Sequence, residues 1–341
     1  MKCNTFAAAF GLFAPTSALL RFGCASLTTQ RIDPLVNPGV SPSPHLHQII
    51  GGDSFNVSMD PATHDLPALS TCTTCQFSED FSNYWTAVLF FRARNGSYHR
   101  VPQIPQAGME STNGGMVVYY MSDALFDTAQ KSTVTAFKPG FRMLVGNNDF
   151  RTRDQARSFR QLTYTCMASQ ATRNPETLDF PTGTCKTGIM ATHRFPTCWD
   201  GVHLDSPNHQ DHVAYPESGT FESGGPCPAT HPVKIPQLML ETVWDTSAFN
   251  NKADWPEDGS QPFLWSSGDT TGYSTHADYL FGWKDNSLQK AMDAHTYVSA
   301  PTLKTQSIAQ QNKCTVPLMV KENIDGWLSE IPGQGMEGMA M

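Results

Sequence analysis

Charge is scarce in this chain. Lys, Arg, Asp and Glu together make up 16% of its 341 residues, and acids outnumber bases 31 to 23 for a net charge of -8. A nucleic-acid-binding protein carries a basic face, so that class is disfavoured. No apolar run reaches the roughly 20 residues that a membrane-crossing helix needs, and no long stretch shows the 3.6-residue period of an amphipathic helix. Internal repeats and a linker between two compositions are also missing, which favours one compact domain. Several catalytic signatures are absent too. There is no Gly-x-Ser-x-Gly elbow, no His-Glu-x-x-His, no phosphate loop and no Gly-x-Gly-x-x-Gly following a strand. These gaps argue against a serine hydrolase of that type, a zincin and a nucleotide-dependent enzyme.

What the chain has in quantity is punctuation, with 24 prolines and 25 glycines separating short apolar runs. Runs at 25–32, 83–92, 114–121, 141–145, 236–244 and within 263–283 read as strands, and Asn95-Gly96 marks a hairpin turn before 97–102. Residues 155–163 suit either a strand or a short helix. The best helix candidate is 285–293, with Leu288, Ala291 and Met292 on one face. The pattern predicts a mainly β fold: a single-domain β-sandwich or jelly-roll-like protein with long Pro/Gly-rich loops and few short helices. Residues 19–325 form that domain, and the Gly- and Met-rich segment 326–341 is expected as a flexible tail.

Residues 1–18 read as a secretory signal: Lys2 is the positive start, 6–13 the apolar stretch, and Thr16-Ser17-Ala18 the small residues at the cleavage point. Removing them discards Cys3 and leaves Cys24, Cys72, Cys75, Cys166, Cys185, Cys198, Cys227 and Cys314, an even set that suits disulfides in an oxidising compartment. Parity does not choose the pairing. The sequons Asn56-Val-Ser58 and Asn95-Gly-Ser97 fit the same extracellular or cell-wall destination.

Chemistry concentrates between Arg194 and Pro216, where His203, His209 and His212 lie among Asp200, Asp205 and Asp211, beside Cys198-Trp199. Imidazoles and carboxylates held together shift one another's pKa and suit proton transfer, metal ligation or recognition of hydroxyl-rich ligands. Two further stretches share this character. His45 and His47 alternate onto one face of a strand with Ile49, and His276-Ala-Asp278 is accompanied by Trp265, Tyr273 and Trp283. Were the three to meet, they would form a polar cleft walled by aromatic rings, a setting for sugars. The catalytic candidates are then His47, Asp205, His212, His276, Asp278 and Glu241, the last a general-acid candidate because its strand is otherwise apolar; its alternative is a buried partner for an arginine. Trp199, Asp200, Tyr215, Trp265, Tyr273 and Trp283 are the candidate substrate contacts. A metal reading draws on His47, His212 and His276 with Asp205 or Asp278.

Five blocks, Arg31 to Gly39, His45-Leu-His47 with Gly51-Gly52, Phe195 to Gly201, Leu204 to Pro216, and Gly272 to Asp278, resemble the signature blocks of a large secreted fungal family, the domain of unknown function numbered nineteen-ninety-six. Some of its members carry an added WSC carbohydrate-binding module, which implies contact with polysaccharide. The family assigns no catalytic residue. The expectation is therefore a secreted carbohydrate-active protein, a glycoside hydrolase acting on cell-wall polysaccharide. The alternatives are a lectin-like wall protein without catalysis and a His-rich metal-dependent hydrolase. No cofactor is required unless a divalent metal ion binds, the partner is polysaccharide rather than nucleic acid or membrane, and the chain is expected as a monomer.

Overall fold

A computed structural model describes residues 19–106, 109–110, 112–121, 133–169, 172–219, 224–294 and 300–334. Residues 1–18, expected as a signal segment, and the last residues of the expected tail lie outside these. In chain order the strands are β1 (Leu19–Cys24), β2 (Thr28–Gln30), β3 (His47–Gly51), β4 (Asn83–Ala87), β5 (Leu89–Arg92), β6 (Tyr98–Arg100), β7 (Met116–Met121), β8 (Arg142–Gly146), β9 (Leu162–Met167), β10 (Gly188–Arg194), β11 (Cys198–Trp199), β12 (Val213–Ala214), β13 (Val233–Lys234), β14 (Gln237–Trp244), β15 (Phe263–Trp265), β16 (His276–Leu280) and β17 (Trp327–Leu328). The α-helices among the described residues are short: α1 (Leu66–Leu69), α2 (Arg153–Ala156), α3 (Ser287–Asp293) and α4 (Ile308–Gln311). None is long and apolar enough to cross a membrane.

The strands pair antiparallel in four sheets, as a β-sandwich requires. Two five-stranded sheets, ordered β1-β7-β14-β10-β9 and β2-β3-β4-β16-β8, enclose the main core, where Phe22, Val118, Tyr120 and Leu240 of the first meet Ile50, Tyr84, Val145 and Tyr279 of the second. A four-stranded sheet, β15-β5-β6-β17, covers a second core around Trp244 and Trp265, and a small one, β12-β11-β13, is pinned by the Cys198–Cys227 disulfide. The remaining cysteines pair as Cys24–Cys75, Cys72–Cys314 and Cys166–Cys185. Four disulfides fit an extracellular protein.

The apolar run at 83–92 is two strands rather than one. At Val88 the chain leaves one sheet for another, because Val88 N–H donates to Leu46 O (3.3 Å) between the two ladders. The segment at 155–163 divides between α2, a 3₁₀ turn and the start of β9. Residues 285–293 do supply a helix, α3, which buries Leu288, Ala291 and Met292. Part of the segment expected as a flexible tail is built into the fold: β17 pairs with β6, Ile331 is buried, and Gln334 Nε2 donates to Ser266 O (3.3 Å).

The sheet β2-β3-β4-β16-β8 is buried on both faces. Its outer face is roofed by the loop from Arg31 to Leu66, which brings Ile32, Leu35, Phe55 and Met59 over Ile49, Trp85 and Leu280. The functional candidates lie under that roof.

Candidate functional site

Register puts the site together. His47 pairs with Ala87 of β4, and Ala277 of β16 pairs with Thr86, so continuing the ladder brings His276 level with Ala87. One row along, Ile49, Trp85, Asp278 and Leu144 lie side by side. Two imidazoles thus flank one alanine methyl, with little bulk between them. Opposite His276 stands Gly146, at φ 86°, where a Cβ would fall 2.2 Å from Thr275 O. Only glycine lets β8 approach there.

The third imidazole is His45. Leu46 O accepts from both Val88 N–H and Ser266 Oγ (2.7 Å), which clamps the backbone between His45 and His47. His45 Nε2 lies 3.1 Å from His276 Nε2, and its ring centroid is 4.2 Å from that of His47. His47 Nδ1 lies 3.1 Å from Ile32 O and His276 Nδ1 lies 2.9 Å from Ser274 O. A carbonyl only accepts, so these nitrogens carry the protons and both Nε2 atoms present lone pairs. His47 Nε2 is buried without a partner among the described residues, and one ligand nitrogen from each of the three histidines falls within a span of 4.8 Å. All three are at most 5% exposed. Burial pulls their pKa values below the usual imidazole range, reinforced for His45 and His47 by the neighbouring rings, so the cluster is neutral at neutral pH.

Beside the trio, Asp278 is fully buried and neither carboxyl oxygen has a partner among the described residues. Burial first, and then the charge of Asp33, push its pKa well above the carboxylate range. Asp33 is also raised by burial, although the Leu35 and Val36 N–H groups donate to it (3.1 and 3.0 Å). Behind the sheet, His193 of β10 meets Thr275 Oγ1 at 2.8 Å, and burial lowers it to about 3. Sequence reasoning paired His45 with His47 but kept only His47 among the catalytic candidates, and it left out Asp33 and His193. The i, i+2 spacing marked His45, and the first signature block contained Asp33; no local pattern marked His193.

Of the catalytic candidates chosen by residue type, His47 and His276 converge and Asp278 lies one row along on the same face of the sheet; the others do not join them. His212 has both ring nitrogens engaged, by Arg142 O (2.8 Å) and Ser206 Oγ (3.0 Å), so the trio's third member is His45 rather than His212. Asp205 accepts from His209 Nδ1 (2.7 Å) and faces Arg142 Nε at 3.8 Å. These belong to the 204–212 loop, which binds the free edge of β8: Arg142 N–H donates to Leu204 O, Leu144 N–H to His209 O, and Gln210 Nε2 to Gly146 O. Asp200 caps its own turn at Val202 and His203. Glu241 sits in the other large sheet, held by Tyr119 O–H (2.7 Å) and Arg173 (3.1 Å), the arginine-partner role foreseen as its alternative.

Of the aromatic candidates, Trp199, Trp265 and Trp283 are buried, although Trp283 also lines a cavity beside loop 61–68, and Tyr215 and Tyr273 are half-buried. Trp265 and Trp283 are 1% exposed and donate to Tyr164 and Tyr120 hydroxyls, and Trp199 donates to His203 O. Tyr215 O–H donates to Arg194 O (2.6 Å), and Tyr273 O–H donates to the Asp179 carboxylate. Large rings gain more from burial than from exposure, and the sandwich cores take them.

A family model described as Domain of unknown function (DUF1996) matches residues 33–283, most of the chain, and the chain belongs to that family. No curated protein and no solved structure matches it.

Proposed function

We propose that this DUF1996 chain is a secreted, metal-dependent hydrolase of polysaccharide, with His45, His47 and His276 as the metal ligands. The observation that carries this reading is the meeting of three neutral imidazoles around one point, two of them with tautomers set by backbone carbonyls. Ligand nitrogens about 2.0–2.1 Å from a tetrahedral zinc ion stand roughly 3.3 Å apart, close to the 3.1 Å between His45 and His276. Second-sphere carbonyls that orient the rings are what metal-ligating histidines require. Neutral rings also bind without first losing a proton.

Three protein ligands leave one position for water, the arrangement of catalytic rather than structural zinc. An ion there supplies a hydroxide equivalent near neutral pH. Asp278, on the same face two residues from His276, offers oxygens that no donor among the described residues occupies, and would be the carboxyl available to such a water. Hydrolysis would then form a bond from the water oxygen to the electrophilic carbon as the bond to the leaving oxygen breaks, the proton lost by the water passing to that oxygen. Secretion is supported by the four disulfides and by the exposed sequon residues Asn56 and Asn95. The polysaccharide substrate is supported by the company that family members keep with WSC modules.

One observation favours a second reading, an ion that holds the fold together in a polysaccharide-binding protein without catalysis. His47 is 0% exposed and His276 4%, as for an ion that braces the fold. Elemental analysis of purified protein, followed by incubation with β-glucans, chitin and plant polymers before and after chelation, separates the two. A stoichiometric ion with chelator-sensitive release of product supports the hydrolase, an ion with retention on these polymers but no release supports the binding reading, and no ion sinks the metal site in both.

A further inference from the structure

The histidine trio sits at one end of its sheet. His47 opens β3, His276 opens β16, and Gly146, the last residue of β8, stands opposite His276. The chain leaving Gly146 runs through residues 147–160, which include α2 and the 3₁₀ turn after it, and of these only Ala156 is buried. Phe150 and Phe159, half-buried with ring centroids 6.1 Å apart, close with Gly146, Gly272 and Thr275 around a void of about 10 Å³. That is about the space one water needs.

The segment is satisfied within itself and tied down weakly. Thr152 and Gln155 form a capping box, Arg151 Nη1 donates to Asn148 O (2.6 Å) and Phe150 O (2.9 Å), and Ser158 Oγ donates to Gln155 O (2.6 Å). Among the described residues, the polar contacts that join it to the rest of the chain come from two exposed arginines. Arg151 Nη2 reaches Ser267 O (3.5 Å), and Arg153 Nη1 reaches Asp179 Oδ2 (3.1 Å), a carboxylate that Tyr273 O–H also holds. Ser267 follows Ser266, whose hydroxyl clamps Leu46 O between His45 and His47. After burial and the neighbouring rings, the charge of Arg151 acts on His45; after burial and Ser274 O, that of Asp149 acts on His276. Charges that solvent screens act only at short range, so this segment lies over the trio. Little buried apolar surface and few outward bonds mark a unit that opens locally at low cost, and an exposed ion pair adds little to hold it.

We infer that residues 147–160 are the lid of the histidine trio. When the Arg153–Asp179 latch parts, the segment lifts about Gly146, at φ 86°, and admits water and an ion to the buried nitrogens. The ion rests on the metal reading above; the lid rests on the packing alone. A ligand set closed to solvent then exchanges its ion without either core unfolding.

Carbethoxylation of imidazoles by diethyl pyrocarbonate on metal-free protein, mapped by peptide mass spectrometry, tests the lid without any ion. The reagent reads the population of the open form while opening and closing are fast beside the labelling. Arg153→Glu replaces attraction to Asp179 by repulsion and should raise the rate at His45, His47 and His276 about tenfold. The rate at His212, buried beside Arg142 at the far end of β8, should stay unchanged. Arg157→Glu, a charge reversal on the same segment that breaks only its internal pair with Asp154, should leave the trio at the wild-type rate. Rates at the trio unaltered by Arg153→Glu, raised equally by Arg157→Glu, or raised equally at His212 overturn the lid. Faster labelling in a protein that takes up no zinc keeps the lid and ends the metal-dependent reading. Zinc uptake at a rate indifferent to Arg153→Glu keeps the metal site and ends the lid.

Discussion

Replacing Asp80 by asparagine should make the protein more stable above neutral pH, by an amount the structure sets. Asp80 is fully buried between the two large sheets, where its carboxyl accepts from Ser82 N–H (3.1 Å) and Tyr84 O–H (2.8 Å). Those bonds lower its pKa, but desolvation outweighs them and pushes it up to about 7 from an ordinary 3.8. The folded chain therefore holds a proton between roughly pH 4 and 7 that the unfolded chain has released, so this group's contribution is full below pH 4 and lost as pH rises through 7. Three units at 1.36 kcal/mol each amount to about 4 kcal/mol, or ~6 °C in Tm for a chain of this size. Asparagine keeps the acceptor for Ser82 and offers N–H to Tyr84, whose hydroxyl then donates to Tyr120 (2.7 Å), and Tyr120 to Tyr279 (3.0 Å). Urea unfolding of both proteins from pH 4 to 8.5, followed by tryptophan fluorescence, reads the difference. The buried histidines tilt the wild-type curve the other way, since depressed imidazoles lose stability as pH falls below 6.5, but they cancel between the two proteins. Asp80→Asn should match wild type near pH 4 and exceed it by about 4 kcal/mol at pH 8. Parallel curves, or a less stable variant at pH 8, would refute the reasoning.

Zinc at a hundredfold excess over its Kd should stabilise wild type by about 2.7 kcal/mol in a thermal-shift assay, and His47→Ala or His276→Ala should abolish that increment. Gly146→Ala should cost at least about 2 kcal/mol, because its Cβ would lie 2.2 Å from Thr275 O and its φ is positive; an unchanged urea midpoint would contradict the close approach. Paired Cys72→Ser and Cys314→Ser changes open a link spanning 242 residues and should destabilise by about 2–5 kcal/mol in denaturant titration. Glu241→Gln should leave polymer hydrolysis unaltered, with stability falling by about 1–3 kcal/mol as Arg173 and Tyr119 lose a charged acceptor.

The strands were legible because each apolar run is fenced by Gly or Pro, and the pairing of His45 with His47 followed from a two-residue period. What joined them to His276 was the register of β4 between β3 and β16, a long-range match that no local pattern contains. The same blindness explains the misplaced candidates. His212 and Asp205 look catalytic by type, yet polar side chains are also what a loop needs to satisfy backbone groups, and at β8 that need prevailed. Trp265 and Trp283 look like sugar platforms until the cores that take them are known. Residues 326–334 lack any period because they are held singly, by a two-residue bridge and one glutamine.

The 204–212 loop has a consequence for how molecules of this protein meet one another. An outermost strand ordinarily offers a comb of unpaired amides to any passing chain and so invites fibrous association. Along β8 the comb's teeth are already taken, by Leu204, His209, Gln210 and His212 in turn. The loop thus works as a selvedge that keeps this border of the sheet from unravelling into its neighbours.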